Sequence, residues 1–252
     1  MRLGLVAGGG ALPEAVLSRL PDQIHHRFHV GPAGDFPLGS IAGLAAAAEA
    51  AGCDTLCFIG AVNRRDFTDL DEGGRWVRNR AGADAGDSAL LDALIQFIEA
   101  RGLAVVGVNT LCPDWLTPAG VLAGDGALVG DAFRTAGLAR ARALGLADRG
   151  QAVIACGTPP QWFEEDQSGT DALIARAGSN DLPAPKTLFK AAKPQQDRRI
   201  DLPAWGPDTV LRAAEAGLQA LVFEAGASIA VDRDRAVDLA NRHGLALIGV
   251  DA

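Results

Sequence analysis

Tyrosine is absent from this 252-residue chain, and aromatic residues make up only 5% of it. With little aromatic surface to build on, an aromatic-rich β architecture is disfavoured, and the abundant alanine and glycine favour closely packed helices. Positive charge is in the minority, with 23 Lys and Arg against 31 Asp and Glu and a formal net charge of −8. That excludes the broad basic surface on which non-specific nucleic-acid binding relies, though not a single local anion site. The four cysteines, Cys53, Cys57, Cys112 and Cys156, show no paired C-x-x-C spacing. No zinc site is therefore expected, and reduced cytosolic thiols are the default. His25, His26 and His29 lie close in sequence, but no acid or cysteine adjoins them to complete a metal set, so they are expected at the surface. No apolar run approaches the ~20 residues that cross a bilayer, and Met1–Ala7 is too short for a signal peptide before it meets three glycines. A cytoplasmic protein is expected.

The length allows one large domain or two small ones. Three apolar runs of strand length, Leu3–Ala7, Phe28–Val30 and Thr55–Ile59, occur in the first sixty residues, and a helix capped by Ser40 runs to about Ala51. Such βα-like units predict a parallel, Rossmann-like sheet, whose ligands bind beyond the carboxyl ends of the strands. Gly8-Gly9-Gly10 follows the first strand, and Pro13 and Glu14 suit a first helical turn. The backbone of Gly9, Gly10 and Ala11 is thus a candidate anion site, with a tight turn that binds nothing as the equal alternative. As a dinucleotide fingerprint the run is poor, since it reads G-x-G-x-x-P without a ribose-binding acid.

Asp71–Arg80 is polar, contains glycine, and reads as irregular. Gly86-Asp87-Ser88 opens a helix with apolar residues at the 3.6 period, and Asp87 is placed to cap it. Leu103–Val108 completes a sheet. Two prolines and a glycine between Cys112 and Gly120 mark a linker, dividing the chain into residues 1–112, a linker at 113–126, and a second α/β domain at 127–252. In that second part, 131–146 reads as a helix with a solvated basic face, allowing at most transient contact with a membrane surface. Residues 151–156, 218–223 and 245–250 read as strands. Thr170 and Asp171 begin a helix, where capping competes with phosphate contact. Glu224 ends a strand, as a functional carboxylate or half of a buried salt bridge.

The most informative stretch is Lys190–Gly206, which places four cationic side chains and two carboxylates in seventeen residues braced by Pro194, Pro203 and Gly206. Prolines fix φ and remove backbone donors, so an ordered loop is expected. Lysine supplies a point charge and arginine a planar fork, both suited to phosphate, with a carboxylate among them to act as acid, base or metal ligand.

Read as K-x-x-K-P-x-Q-x-x-R-x-D-x-P-x-x-G, the stretch resembles the signature loop of the LpxI-type UDP-2,3-diacylglucosamine diphosphatases of lipid A biosynthesis, matching at Lys190, Lys193, Pro194, Gln196, Arg199, Asp201, Pro203 and Gly206. The opening strand-Gly-Gly-Gly-x-x-Pro run, Gly86-Asp87 and Glu224-Ala225-Gly226 resemble the same family. Arg65 stands where the family carries proline, beside the retained Arg64, and Ser168 where it carries glutamate. The resemblance implies hydrolysis of UDP-2,3-diacylglucosamine to UMP and 2,3-diacylglucosamine 1-phosphate with Mg2+ or another divalent cation. Asp201 is the expected catalytic residue and metal ligand, with Glu224 as a second ligand. Substrate contacts are expected from Gly9, Gly10, Ala11, Arg64, Asp87, Thr170, Asp171, Lys193, Gln196 and Arg199. The implied setting is the cytoplasm, up to the inner-membrane surface, with room for a homodimer. The alternatives are a non-catalytic sugar-nucleotide-binding protein and a dinucleotide-dependent oxidoreductase.

Overall fold

The computed structural model describes residues 1–82, 85–178 and 182–251, apart from the side chain of Arg64. The chain forms two compact units, Met1–Pro113 with Gln196–Asp201, and Asp114–Gln195 with Leu202–Ala252. The polypeptide therefore passes from one unit to the other three times, at 113/114, 195/196 and 201/202.

The first unit contains β1 (Leu3–Ala7), α1 (Leu12–Arg19), β2 (Ile24–His29), α2 (Ile41–Ala50), β3 (Thr55–Ile59), α3 (Glu72–Ala81), α4 (Asp87–Ala100), β4 (Ala104–Val105) and α5 (Val108–Leu111). Its sheet has the order β2-β1-β3-β4 and is parallel throughout, as the βα pattern predicts. All five residues of β1 are buried, which fits a central strand of a parallel sheet covered on both faces. Val6, Phe28, Leu44, Leu56, Ile95 and Ile98 form its main core, joined by Ile200 from the distant Lys190–Gly206 loop.

Three expectations change here. Residues 72–81 are helical, not irregular, because Asp71 caps the helix: its Oδ1 accepts the Gly74 N–H at 2.8 Å. Its Oδ2 accepts the Gly43 N–H at 2.9 Å, so one carboxylate serves the starts of both α3 and α2. Ser40 stands at the start of α2 but makes no side-chain cap bond. The glycines that suggested an irregular chain instead allow close approach: a Cβ on Gly73 would lie 2.6 Å from the Ala42 nitrogen, and one on Gly74 2.3 Å from the Gly39 oxygen. Asp87 is the first residue of α4 and not its cap, which is Gly86. Its carboxylate still meets the positive end of the helix dipole.

The second unit contains β5 (Gly120–Ala123), α6 (Asp131–Leu146), β6 (Ala152–Cys156), β7 (Gln161–Glu164), α7 (Gly169–Ala177), β8 (Lys186–Lys190), β9 (Ala204–Trp205), α8 (Pro207–Glu215), β10 (Ala220–Glu224), β11 (Ile229–Ala230), α9 (Arg233–His243) and β12 (Ala246–Val250). Six strands take the order β5-β12-β10-β8-β6-β7. β8, β10 and β12 are parallel, while β5, β6 and β7 each run antiparallel to a neighbour. α6 covers one face through Leu138, Ala141 and Leu144, and Leu173, Val210 and Ala236 of α7, α8 and α9 pack in the core on the other. β9 and β11 form a separate parallel pair. Within the expected linker, 120–123 is not a free connection but an edge strand on β12, because Pro113 and Pro118 lie outside it and leave its donors available. β8 escaped the sequence pattern because lysines bound its short apolar run. Both are buried, and Lys186 Nζ donates to the Ala177 carbonyl at 2.6 Å. Among the described residues no helix is long and apolar enough to cross a membrane.

Gly137 marks the tightest side-chain contact of α6, since a Cβ there would lie 2.2 Å from the Phe189 ring. Gly137→Ala is therefore expected to destabilise the second unit by about 1–3 kcal/mol, the usual cost of overpacking. A urea midpoint equal to or above the wild-type value would contradict that packing.

Candidate functional site

In the first unit, the turns after β1 and β3 are stitched together. Gly9 N–H donates to the Ala61 carbonyl, and Ala61 N–H returns a bond to Gly9, each at 2.8 Å. Gly8 N–H donates to the Ile59 carbonyl, also at 2.8 Å. A Cβ on Gly8 would lie 2.6 Å from the Ala61 oxygen, and Gly60 (φ 94°) approaches the Gly9 oxygen as closely, which explains the glycines at both turns. The amides of Gly8 and Gly9 are thus spent on the chain itself. They do not form the open cradle of a dinucleotide fingerprint.

Beside this stitch, at the carboxyl ends of β1 and β2, lies a cleft of about 330 Å3. Gly8, Gly9, His29, Val62, Asn63 and Asp66 are among the residues that line it. Gly10 and Ala11 are exposed next to it, at the start of α1. His29, expected only at the surface, borders the cleft and is bonded through Nδ1 to Asp35 at 3.2 Å. Asp35 lies six residues away, which is why the histidine run alone gave no sign of it. Arg64 begins a single 3-10 turn, and its side chain lies outside the described residues.

The tip of the signature loop, Gln196–Asp201, also belongs to this unit. Ile200 is buried in the core. The Arg199 guanidinium is bonded to Asp197 on both oxygens, at 2.6–3.0 Å, and to Glu99 of α4 at 2.6 Å. These partners raise its pKa further, while Arg199 holds the Asp197 carboxyl below the usual range. Like charge on Asp197 and burial push Asp92 up, burial first. Gly107 admits the loop backbone, because a Cβ there would lie 2.7 Å from the Arg199 Cα. Arg199, expected to grip phosphate, is in this arrangement the fastening of the loop tip. Arg198 is exposed and has no ion pair among the described residues.

Asp201 is exposed and stands in the left-handed region, with φ 57°. Aspartate tolerates that conformation better than most residues, though at a cost, and such outliers recur at functional sites. Gln196 Nε2 donates to Asp201 Oδ2 at 3.0 Å, which orients the carboxylate. Gln196 Oε1 is buried without a hydrogen-bond partner among the described residues. An acceptor oxygen left without a donor, beside a carboxylate, matches a hard, oxygen-seeking cation that takes its remaining ligands from water and phosphate. Among the described residues no three His, Cys, Asp or Glu side chains gather as an all-protein cage.

In the second unit, the carboxyl ends of β8 and β10 carry the neck of the loop. Lys190 Nζ donates to the Ala204 carbonyl at 3.3 Å across that neck. Lys193 is buried, with Nζ on Asp148 Oδ1 at 2.7 Å. An ammonium has three donors, so this bond leaves capacity for a phosphoryl oxygen. Glu224 Oε2 accepts the Ala192 N–H at 3.1 Å and a longer bond from Arg142 Nε at 3.4 Å. One oxygen of the carboxylate expected as a second metal ligand thus helps to hold the loop. Thr170 donates to Glu165 at 2.6 Å, and Glu165 also accepts the N–H groups of Gln151 and Ala152, whose strand pairs with Lys190. Asp171 is exposed and faces Arg212 at 3.6 Å. Sequence reasoning missed Asp148, Glu99 and Arg142, because each is defined only by what folds against it, and counted Asp197 only as a carboxylate of the loop.

Comparison with known proteins adds to this geometry. The LpxI N-terminal domain family matches residues 2–115, and the LpxI C-terminal domain family matches residues 131–248. The UDP-2,3-diacylglucosamine pyrophosphatase LpxI of Caulobacter vibrioides is 34% identical over 279 residues, which covers 99% of this chain and 98% of that protein.

The Asp197–Arg199 pairing makes a pH prediction. A carboxyl whose folded pKa is lowered stabilises the fold above its unfolded value, near ~3.9, and loses that contribution as pH falls through the folded value. Wild type should thus be more heat-stable than Asp197→Asn above pH ~5, with the gap closing in stronger acid. A gap that stays constant from pH 7 to pH 3 would show that the ion pair is not its source.

Proposed function

The chain belongs to the LpxI family, and we propose that it acts on UDP-2,3-diacylglucosamine, the compound for which its Caulobacter relative is named a pyrophosphatase. The reaction is hydrolysis of the diphosphate to UMP and 2,3-diacylglucosamine 1-phosphate, within lipid A biosynthesis and at the inner-membrane surface where a diacylated substrate resides. Attack of water on one phosphorus breaks its bond to the bridging oxygen, so one product gains the hydroxyl and the other departs with that oxygen. The observation that carries this reading is Asp201, oriented by Gln196 at 3.0 Å on a loop fastened at both ends.

Hydrolysis of a diphosphate asks chiefly for positioning and for neutralised charge. Asp201 is assigned to orient the attacking water and accept its proton, and to ligate magnesium together with Gln196 Oε1. When bound, such a cation offsets the negative charge that builds on the diphosphate. Lys193 is assigned to a phosphoryl oxygen, using donors beyond its bond to Asp148. The cleft beside Gly9 is the candidate seat for the nucleotide portion, through its own lining and not through Gly8 and Gly9 amides. Because those amides are internally bonded, an oxidoreductase built on a dinucleotide fingerprint is not favoured.

Asp201→Ala should lower kcat at least ~100-fold, the range for loss of a principal acid–base group, with substrate binding largely kept. Lys193→Ala should act chiefly on KM. The check is UMP release from the diacylated UDP-sugar with magnesium present, run against unacylated UDP-sugars. Near-normal turnover by Asp201→Ala would remove its catalytic role, and binding without turnover by wild type would leave a sugar-nucleotide-binding protein.

A further inference from the structure

The polypeptide leaves or enters the second unit at three places, and the segments beside all three are fastened to one short stretch, Glu224–Ala230. The first is the segment after Pro113. Thr117 N–H donates to the Ser228 carbonyl at 2.9 Å, Gly226 N–H donates to the Thr117 carbonyl at 2.9 Å, and Leu116 bridges Ile229. The second is the run into the loop, where Glu224 Oε2 accepts the Ala192 N–H at 3.1 Å. The third is the run out of it, only two to four residues beyond Asp201. There Ile229 N–H donates to the Pro203 carbonyl at 2.8 Å, and β9 pairs with β11.

At the centre, two hydroxyls and an indole join the first and third segments in a fully buried chain. Trp205 Nε1–H donates to Thr117 Oγ1 at 2.8 Å. Thr117 Oγ1 and Ser228 Oγ lie 2.7 Å apart, and Ser228 Oγ is 2.8 Å from the Glu224 carbonyl. Each hydroxyl has one proton: Trp205 donates to Thr117, Thr117 Oγ1–H donates to the Ser228 carbonyl at 3.1 Å, and Ser228 Oγ–H serves Thr117 Oγ1 or the Glu224 carbonyl, so every donor is used. The Trp205 ring is stacked on Phe223 at 4.7 Å and 8°, which fixes where the indole N–H points. Thr117, Trp205 and Ser228 are each at most 2% exposed, so solvent cannot replace a lost partner.

We propose that Thr117, Ser228 and Trp205 are positioning residues for the reaction. Their hydroxyl–indole chain sets the exit of the signature loop and with it the placement of Asp201. This rests on the catalytic reading of Asp201 given above. None of the three reaches substrate. They act by removing freedom from the backbone on which the carboxylate is carried, and small misplacements of a reacting group are costly.

Two variants separate this from ordinary core stability. Thr117→Val keeps shape and removes the hydroxyl, while Trp205→Phe keeps ring stacking and removes only the N–H. Each is expected to lower kcat roughly 10-fold with KM within about twofold, on the scale of a modest misalignment. Amide hydrogen exchange in 194–206 should quicken in both, and Thr117→Ser should restore both readouts. A fall in melting temperature with kcat and loop exchange unchanged would overturn the proposal, as would failure of Thr117→Ser to rescue. If wild type does not cleave the diacylated UDP-sugar, the functional reading fails on its own account. Loop exchange in Thr117→Val and Trp205→Phe then decides whether the anchor exists.

Discussion

The constraint on which the rest depends is the double fastening of the Lys190–Gly206 loop. Its neck belongs to the second unit, held by Lys190 on Ala204, Glu224 on the Ala192 amide and β9 on β11. Its tip belongs to the first, with Ile200 in the core and Arg199 between Asp197 and Glu99. A loop of this length would otherwise sample many backbone states, and ordering each residue costs about 1–2 kcal/mol. Buried apolar surface and charge-assisted bonds at both ends offset that cost, so Asp201 can be held in a left-handed conformation that few side chains favour.

That arrangement changes what the charged residues of the loop are for. Four cations beside two carboxylates look like a phosphate cradle, and in part the folded chain uses them on itself. Arg199 is committed to two acids, Lys190 to a carbonyl, and Lys193 shares its charge with Asp148. The carboxylate of Glu224 likewise caps an amide of the loop. Much of the loop chemistry is therefore devoted to holding position. A reaction whose difficulty lies in aligning water with a highly charged diphosphate benefits from that division of labour.

Each sheet supplies a platform of its own. In the first, the Gly9–Ala61 stitch closes the turns after β1 and β3 on each other and leaves the cleft toward β2. In the second, parallel β8 and β10 end together and present Lys190, the Ala192 amide and Glu224 at one edge. Both place chemistry beyond strand carboxyl ends, as parallel sheets generally do.

The sequence by itself determined the elements whose signals are local: the parallel strands of the first sheet, most helices, and the loop whose motif resembles the LpxI signature. Proline, glycine and apolar period act within a few residues, so they can be read without the fold. Only the tertiary structure decided that Asp71 caps two helices, that 120–123 is an edge strand, and that β8 runs between buried lysines. It alone separated Asp201, oriented by Gln196, from Arg199, committed to Asp197 and Glu99, although both stand in the same motif. The reason is physical: a side chain's role follows from what is within about 3 Å of it and from whether water can compete, and partners such as Glu99, 100 residues away, are set by folding.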